Sequence, residues 1–318
     1  MKAVVLGSGT WGTGFARLLA DRDVEVTLAS HRADDARAIA ETGRNPRYSS
    51  SVDLAGIAST TIADASVADA DVVVVAVPSR VFRTVVAALD GDAPVLSLTK
   101  GLDPETGERL STLVRGRPVA MLSGPNMAEE VAAGLPAAAV IASEDEALAE
   151  SLQAMLNSLV FRVYVNSDLI GVELCAAAKN VIALAAGAVD GLGLGDNAKG
   201  ALVTRGLVEM ARLGEAVGAE SETFFGLAGM GDLVVTCWHP HGRNRRAGEL
   251  IARGYTQEQA LAEIGQVVEG LTTAPVLREL SHRLGIEMPI TEGVCAVLAG
   301  RPLHELAADL MGRRPTAE

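Results

Sequence analysis

"KAVVLGSGTWGTGFARLLA", residues 2–20, runs from a short apolar stretch through Gly7, Gly9 and Gly12, spaced G-x-G-x-x-G, into an apolar helical period. A strand, a glycine turn and a helix in this order open a βαβ unit. In that setting Gly7 permits the tight turn, Gly9 lets the backbone approach a pyrophosphate, and Gly12 lets the helix pack closely. The free N–H groups and dipole at the helix start then favour a phosphate. In a chain with 33 glycines the spacing alone says little. The strand before it and the helix after it give it weight.

The second strand, "VEVTLAS" at 24–30, bears on which dinucleotide fits. An Asp or Glu at its end would bind a ribose 2′-hydroxyl and repel a 2′-phosphate. Ser30, His31 and Arg32 stand there instead. The planar fork of Arg32 suits a 2′-phosphate, and His31 can stack on adenine or add a donor. NADP(H) is therefore the favoured cofactor, with NAD(H) also admitted. A solvated loop is the other reading of these two residues.

Further β-rich runs follow at 70–79, 93–98, 117–123, 136–143 and 160–165, with helical patterns between them. The near-continuous valines of "ADVVVVAVPS" suit a strand covered on both faces. This alternation predicts an α/β fold with a Rossmann-like, doubly wound, mostly parallel sheet. After about residue 166 the β-rich runs stop, and helices are expected at 167–192, 198–218, 244–254, 256–265, 270–285 and 290–300. Two domains follow: a dinucleotide-binding domain over 1–166 and an all-helical substrate and catalytic domain over 167–318. No low-complexity linker separates them, so the cleft between them is the natural ligand site.

A net charge of −13 over 318 residues, with no long basic run, argues against nucleic acid or an anionic membrane as partner. Cys175, Cys237 and Cys295 are few, odd in number and scattered, as in a reduced cytoplasmic protein. The N-terminus reads as a strand rather than a signal peptide. Glu173, Lys179, Asn180 and Asp190 interrupt the most apolar stretch, so no membrane span is expected.

Those interruptions carry the chemistry. Residues 171–191 are apolar on nearly every helical face, so Lys179 and Asn180 are expected to be buried and paired. Burial lowers a lysine's pKa towards a useful acid–base range. Pairing with Glu173, or reaching the surface, is the structural alternative. Lys100 follows a strand at the sheet edge where α/β proteins bind ligands, and Gly124, Pro125 and Asn126 leave another strand there. Asp232 follows a glycine pair read as flexible, and Arg243-Asn244-Arg245-Arg246 stands at a helix start where a phosphate or carboxylate is the expected partner. Cys237, His239 and His241 lack zinc-site spacing and an evident fourth ligand, so no metal is expected.

In this order, "GSGTWGTGFA", "VVAVPSRVF", "SLTKGL", "LSGPNMAEEVA", "AAAKNVIALAAG", "GDNAKGALVTRGLVEM", "AGMGDLVVTC", "GRNR" and "VVEGLTT" resemble the NAD-dependent glycerol-3-phosphate dehydrogenase family along essentially the whole chain. The resemblance implies NAD(P)H-dependent, reversible reduction of dihydroxyacetone phosphate to sn-glycerol 3-phosphate, which feeds glycerophospholipid synthesis, usually by a homodimer. It implies that Lys179 is the acid–base residue, supported by Lys100 and Asp232. It places Lys100, Gly124, Asn126, Lys179, Asp232, Arg243 and Asn244 around the substrate. Around the cofactor, with Gly7, Gly9 and Gly12, it places Thr10, Trp11, His31, Arg32, Tyr48, Lys100, Ala128, Arg243, Val267 and Glu269. Asn180 is expected to help Asp232 orient the lysine. Asn126 and Gly242 depart from the Ser or Thr usual at their positions, removing two hydroxyls from the expected substrate site. A related two-domain reductase of a β-hydroxy acid or ketopantoate-like ketone is the alternative enzyme, and an NADPH-sensing protein the non-enzymatic one.

Overall fold

The computed structural model describes residues 1–303 and Glu305; the end of the expected helical domain, 306–318, lies outside the described residues. Eight strands form one sheet: β1 (Lys2–Leu6), β2 (Glu25–Ser30), β3 (Ala58–Thr61), β4 (Val72–Val75), β5 (Val95–Ser97), β6 (Val119–Ser123), β7 (Ala137–Ala142) and β8 (Phe161–Asn166). Their order is β3-β2-β1-β4-β5-β6-β7-β8. All neighbours are parallel except β6 and β7. The chain therefore runs outward from β1 in both directions, and the crevice beyond the carboxyl ends of β1 and β4 is where such sheets bind ligands.

Helices α1 (Thr10–Ala20), α2 (Ala33–Thr42), α3 (Ser79–Ala87), α4 (Ala128–Ala132) and α5 (Glu146–Leu156) flank the sheet. The four valines of β4 are fully buried, as a strand covered on both faces requires. The sequence reading omitted β3. Its "ASTT" has no apolar run because it lies at the sheet edge, where it is exposed or half-buried.

The second half is helical: α6 (Leu169–Gly191), α7 (Gly195–Ala216), α8 (Ser221–Phe225), α9 (Asp232–Trp238), α10 (Arg243–Ala252), α11 (Gln257–Ile264), α12 (Glu269–Leu284) and α13 (Pro289–Leu298). Helix α6 is long and apolar enough to cross a membrane, yet it is almost wholly buried in the protein. The other helices pack around it, and its core continues into Leu102, Met121, Val140 and Ala142 of the sheet half. A Cβ on Gly248 of α10 would lie 1.9 Å from the Leu184 carbonyl oxygen of α6, so glycine sets how closely these two helices cross. That crossing brings the start of α10 beside residue 180.

The glycine pair before Asp232 is not a flexible loop. Leu227–Gly231 form a π-helical turn that runs directly into α9, with Asp232 as its first residue. The small residues are needed for packing: a Cβ on Gly229 would fall 2.1 Å from the Phe224 carbonyl oxygen.

Candidate active site

Asp232 is buried and each of its carboxylate oxygens accepts from a different lysine. Lys179 Nζ, from the middle of α6, donates to Oδ1 at 2.6 Å; Lys100 Nζ, from the loop after β5, donates to Oδ2 at 2.8 Å. Lys179 also donates to Thr236 Oγ1 at 2.8 Å, one helical turn beyond Asp232. Lys100 reaches Asn126 Oδ1 at 3.4 Å, and Ser123 Oγ donates to Asp232 Oδ2 at 3.4 Å. The sheet edge and the helical half thus meet at one carboxylate.

Lys179 is 4% exposed. Burial lowers its pKa; Asp232 resists, the Lys100 charge adds to the lowering, and the balance lies at about 7. Burial pushes the Asp232 carboxyl upward, but the two ammonium groups reverse this and hold it below the ordinary range. The cluster is an ionised carboxylate between two cations, one of them able to give up its proton near neutrality. Glu173 does not pair with Lys179. It accepts from Arg109 Nη1 at 2.8 Å and from the Ser111 backbone and hydroxyl at 2.8 and 2.6 Å. Asn180 does not orient Lys179 either. Its amide donates to the Ala176 carbonyl at 3.2 Å and its Oδ1 accepts from Asn244 Nδ2 at 2.9 Å.

Asn244 also accepts from the Gly270 N–H at 2.9 Å, so it joins α6, α10 and the start of α12. Arg243, the first residue of α10, donates from Nη1 to the Val267 carbonyl at 3.0 Å. Its side chain is exposed, yet the surrounding protein partly shields the guanidinium from water and lowers its pKa against the nearby carboxylates of Glu269 and Glu129. No side chain caps α10. Arg243 and the first N–H groups of α10 therefore form an anion-favouring end.

The phosphate turn meets the same segment that Arg243 holds, since Thr10 bonds Gln266 next to Val267. Gly7 has φ +114°, and a Cβ there would sit 2.5 Å from the Ala76 carbonyl oxygen. A Cβ on Gly12 would fall 1.9 Å from the Gly7 carbonyl oxygen. Gly9 differs: a Cβ there would meet no protein atom within 4 Å, leaving open space over the turn. The buried Trp11 Nε1 has no hydrogen-bond partner among the described residues. These features fit a dinucleotide. Gly12→Ala is expected to prevent stable folding. Gly9→Ala is expected to leave the thermal midpoint unchanged while weakening NADPH binding at least about tenfold. Thermal melts and calorimetric titration check both, and a Gly9→Ala protein binding NADPH normally would contradict the assignment of that space.

Residues from the helical half close on the turn. Thr10 Oγ1 donates to Gln266 Oε1 at 3.5 Å, and Glu269 accepts from the Ser79 backbone and hydroxyl at 3.1 and 2.6 Å. Ala128 opens α4, whose backbone packs against Gly14 of α1. His31 and Arg32 are exposed beyond β2, and the Tyr48 N–H donates to Asn45 Oδ1 at 3.1 Å.

Family models described as NAD-dependent glycerol-3-phosphate dehydrogenase N-terminus and C-terminus match residues 2–149 and 168–307. The chain is 46% identical over 323 residues to a Moorella thermoacetica protein named glycerol-3-phosphate dehydrogenase (NAD(P)+), covering 99% of this chain and 96% of that one. A Streptomyces coelicolor protein of the same name is 43% identical over 330 residues, covering 100% and 98%. The crystal structure of glycerol-3-phosphate dehydrogenase from Coxiella burnetii superposes with a TM-score of 0.94 at 37% identity, covering 98% of this chain and 99% of that one. The chain belongs to the NAD-dependent glycerol-3-phosphate dehydrogenase family.

Within this family member, the glycine at 242 has a steric reason. A Cβ there would lie 3.1 Å from the carbonyl oxygens of both Thr236 and His239, at the tight exit from α9. Gly124, at φ +131°, turns the chain away with room for a Cβ only 3.0 Å from the Ala138 carbonyl oxygen. Sequence reading missed Thr236, Ser79 and Asn45. Thr236 stands at i+4 from Asp232, on the same face of α9, and that spacing is its only signal.

Proposed function

We propose that this chain catalyses reversible, NAD(P)H-dependent reduction of dihydroxyacetone phosphate to sn-glycerol 3-phosphate, supplying the backbone of glycerophospholipids. The observation that carries it is the carboxylate of Asp232 held between Lys179 and Lys100, in a fold whose dinucleotide turn and uncapped α10 start both contact segment 266–270. Gly7, Gly9, Thr10, Trp11, Gly12, His31, Arg32, Tyr48, Ala128, Val267 and Glu269 hold the cofactor in this reading. Lys100 and Arg243 serve both ligands. When bound, the reduced nicotinamide supplies a hydride to the substrate's ketone carbon.

Lys179, as an ammonium, protonates the oxygen of that carbon as negative charge develops, and in the reverse direction the neutral amine takes the proton back. Lys100 adds fixed positive charge beside the same oxygen, which is most effective where water is excluded. Asp232 keeps both lysines in place without being consumed. Gly124 and Asn126 border the substrate from the sheet edge. Arg243, Asn244 and the first turn of α10 receive the phosphate group.

Ser30, His31 and Arg32, rather than an acidic residue, at the end of β2 support a preference for NADP(H), with NAD(H) also used. The end of β8 at Asn166 and the start of α6 at Leu169 support a division into domains 1–166 and 167–318. Exposed Phe225, Met230, Val234 and Trp238 support pairing of two copies. Steady-state oxidation of NADPH, followed separately with dihydroxyacetone phosphate and with ketopantoate, tests the activity. Turnover with the first is expected; turnover with the carboxylate ketone alone would overturn the reading.

A further inference from the structure

Beyond the end of β2, two arginines share one buried carboxylate. Asp35, in the first turn of α2, is 2% exposed. Arg47 Nε donates to Asp35 Oδ1 at 3.0 Å, and Arg32 Nε lies 3.9 Å from Oδ2. The carboxylate bonds the Nε edge of Arg47, while its buried Oδ2 has no hydrogen-bond partner among the described residues and faces Arg32 Nε at ion-pair distance. The side chains of Arg32 and Arg47 remain 50% and 49% exposed, and their terminal Nη groups have no partner among the described residues.

Both arginines are tied to the phosphate turn through Ser8. Buried Asn45 donates to the Ser8 carbonyl and to Thr13 Oγ1, each at 2.8 Å, while its Oδ1 accepts the Arg47 and Tyr48 N–H groups at 3.1 Å. On the other side, Ser8 Oγ donates to Ser30 Oγ at 2.9 Å, and Ser30 Oγ accepts the Arg32 N–H at 3.2 Å. Loop 45–48 and the end of β2 are therefore fixed relative to the glycines that face a pyrophosphate.

We propose that Arg32 and Arg47 form a two-pronged clamp for the 2′-phosphate of NADP(H), with Asp35 as the positioning residue whose bond to Arg47 Nε turns that Nη edge outward and whose charge keeps Arg32 alongside. The proposal rests on the reading of this cleft as an NAD(P)H site. Two guanidiniums against one carboxylate leave a net positive charge, and each free fork matches phosphate geometry. A ribose 2′-hydroxyl gives Arg47 no charge to bind. Arg47 thus discriminates between the dinucleotides, whereas a mere brace for Asp35 would affect both alike.

Calorimetric titration of the full-length protein with NADPH and with NADH, without substrate, tests the clamp. Arg47→Leu is expected to weaken NADPH about 10- to 100-fold and NADH less than about twofold, the scale of one charge-assisted contact. Arg47→Lys is expected to give a smaller loss confined to NADPH, because one ammonium serves Asp35 or the phosphate but not both. It carries the same test if the leucine variant does not fold. Equal weakening of both dinucleotides, unchanged NADPH binding, or a wild type that binds NADH as tightly as NADPH would overturn the clamp. A wild type that binds NADPH preferentially but fails to reduce dihydroxyacetone phosphate would overturn the functional reading and leave the clamp standing.

Discussion

Lys179→Ala lowers kcat for dihydroxyacetone phosphate reduction by at least ~10²-fold, the lower end of what a positioned general acid contributes, and leaves the Kd for NADPH unchanged. The reason is the arrangement around its ammonium. Lys179 is buried on α6, aligned by Asp232 and Thr236, and has its pKa brought to about 7, where its proton is readily transferred. Lys100 remains in the alanine variant but cannot replace this donor, because it reaches the opposite oxygen of Asp232. Steady-state kinetics and calorimetry on the same preparation check the two halves of the prediction. Retention of more than about a tenth of kcat would remove Lys179 from the acid–base role, since such roles exceed that factor.

Asp232→Asn has a double effect. It leaves the ammonium groups of Lys100 and Lys179 close together without their shared carboxylate. Removing one partner of a buried ion pair costs about 3–5 kcal/mol, so the urea midpoint falls well below that of the wild type. It also removes the charge that holds the Lys179 pKa up, so the pKa drops below about 7 and Lys179 loses its proton at lower pH. The reduction rate at neutral pH decreases, and the falling limb of its pH profile moves to lower pH. An Asp232→Asn variant with wild-type stability and an unmoved limb would show that Asp232 does not govern the lysines.

The local signals of this fold were legible because they are local. The glycine turn, the buried valines of β4 and the all-round apolar surface of α6 each follow from side chains within a few positions of one another. Lys179 stood out because a charge in such a helix demands a partner. The partner itself was less legible. Asp232 lies 53 residues further on, in a stretch whose glycines suggested a loop but which packs as a π-helical turn against Phe224. Asn180 looked equally suited to hold the lysine, yet the close crossing of α10 gives it Asn244 instead. Asn45, Asp35 and Arg47 carried no pattern at all, since their meaning arises only when the loop after α2 folds back on the Ser8 turn. The edge strand β3 escaped notice for the opposite reason: its partly exposed position asks for no apolar residues.

The central claim is that Lys179 supplies the proton at a pKa of about 7. Measuring kcat/KM for dihydroxyacetone phosphate reduction by the wild type from about pH 6 to about pH 9 tests it most directly. The ammonium form is the donor and exists below the pKa. The rate is therefore expected to hold at low pH and to fall towards about tenfold per unit once past about pH 7, while glycerol 3-phosphate oxidation rises over the same interval. A profile that stays flat across this range in both directions would contradict the account.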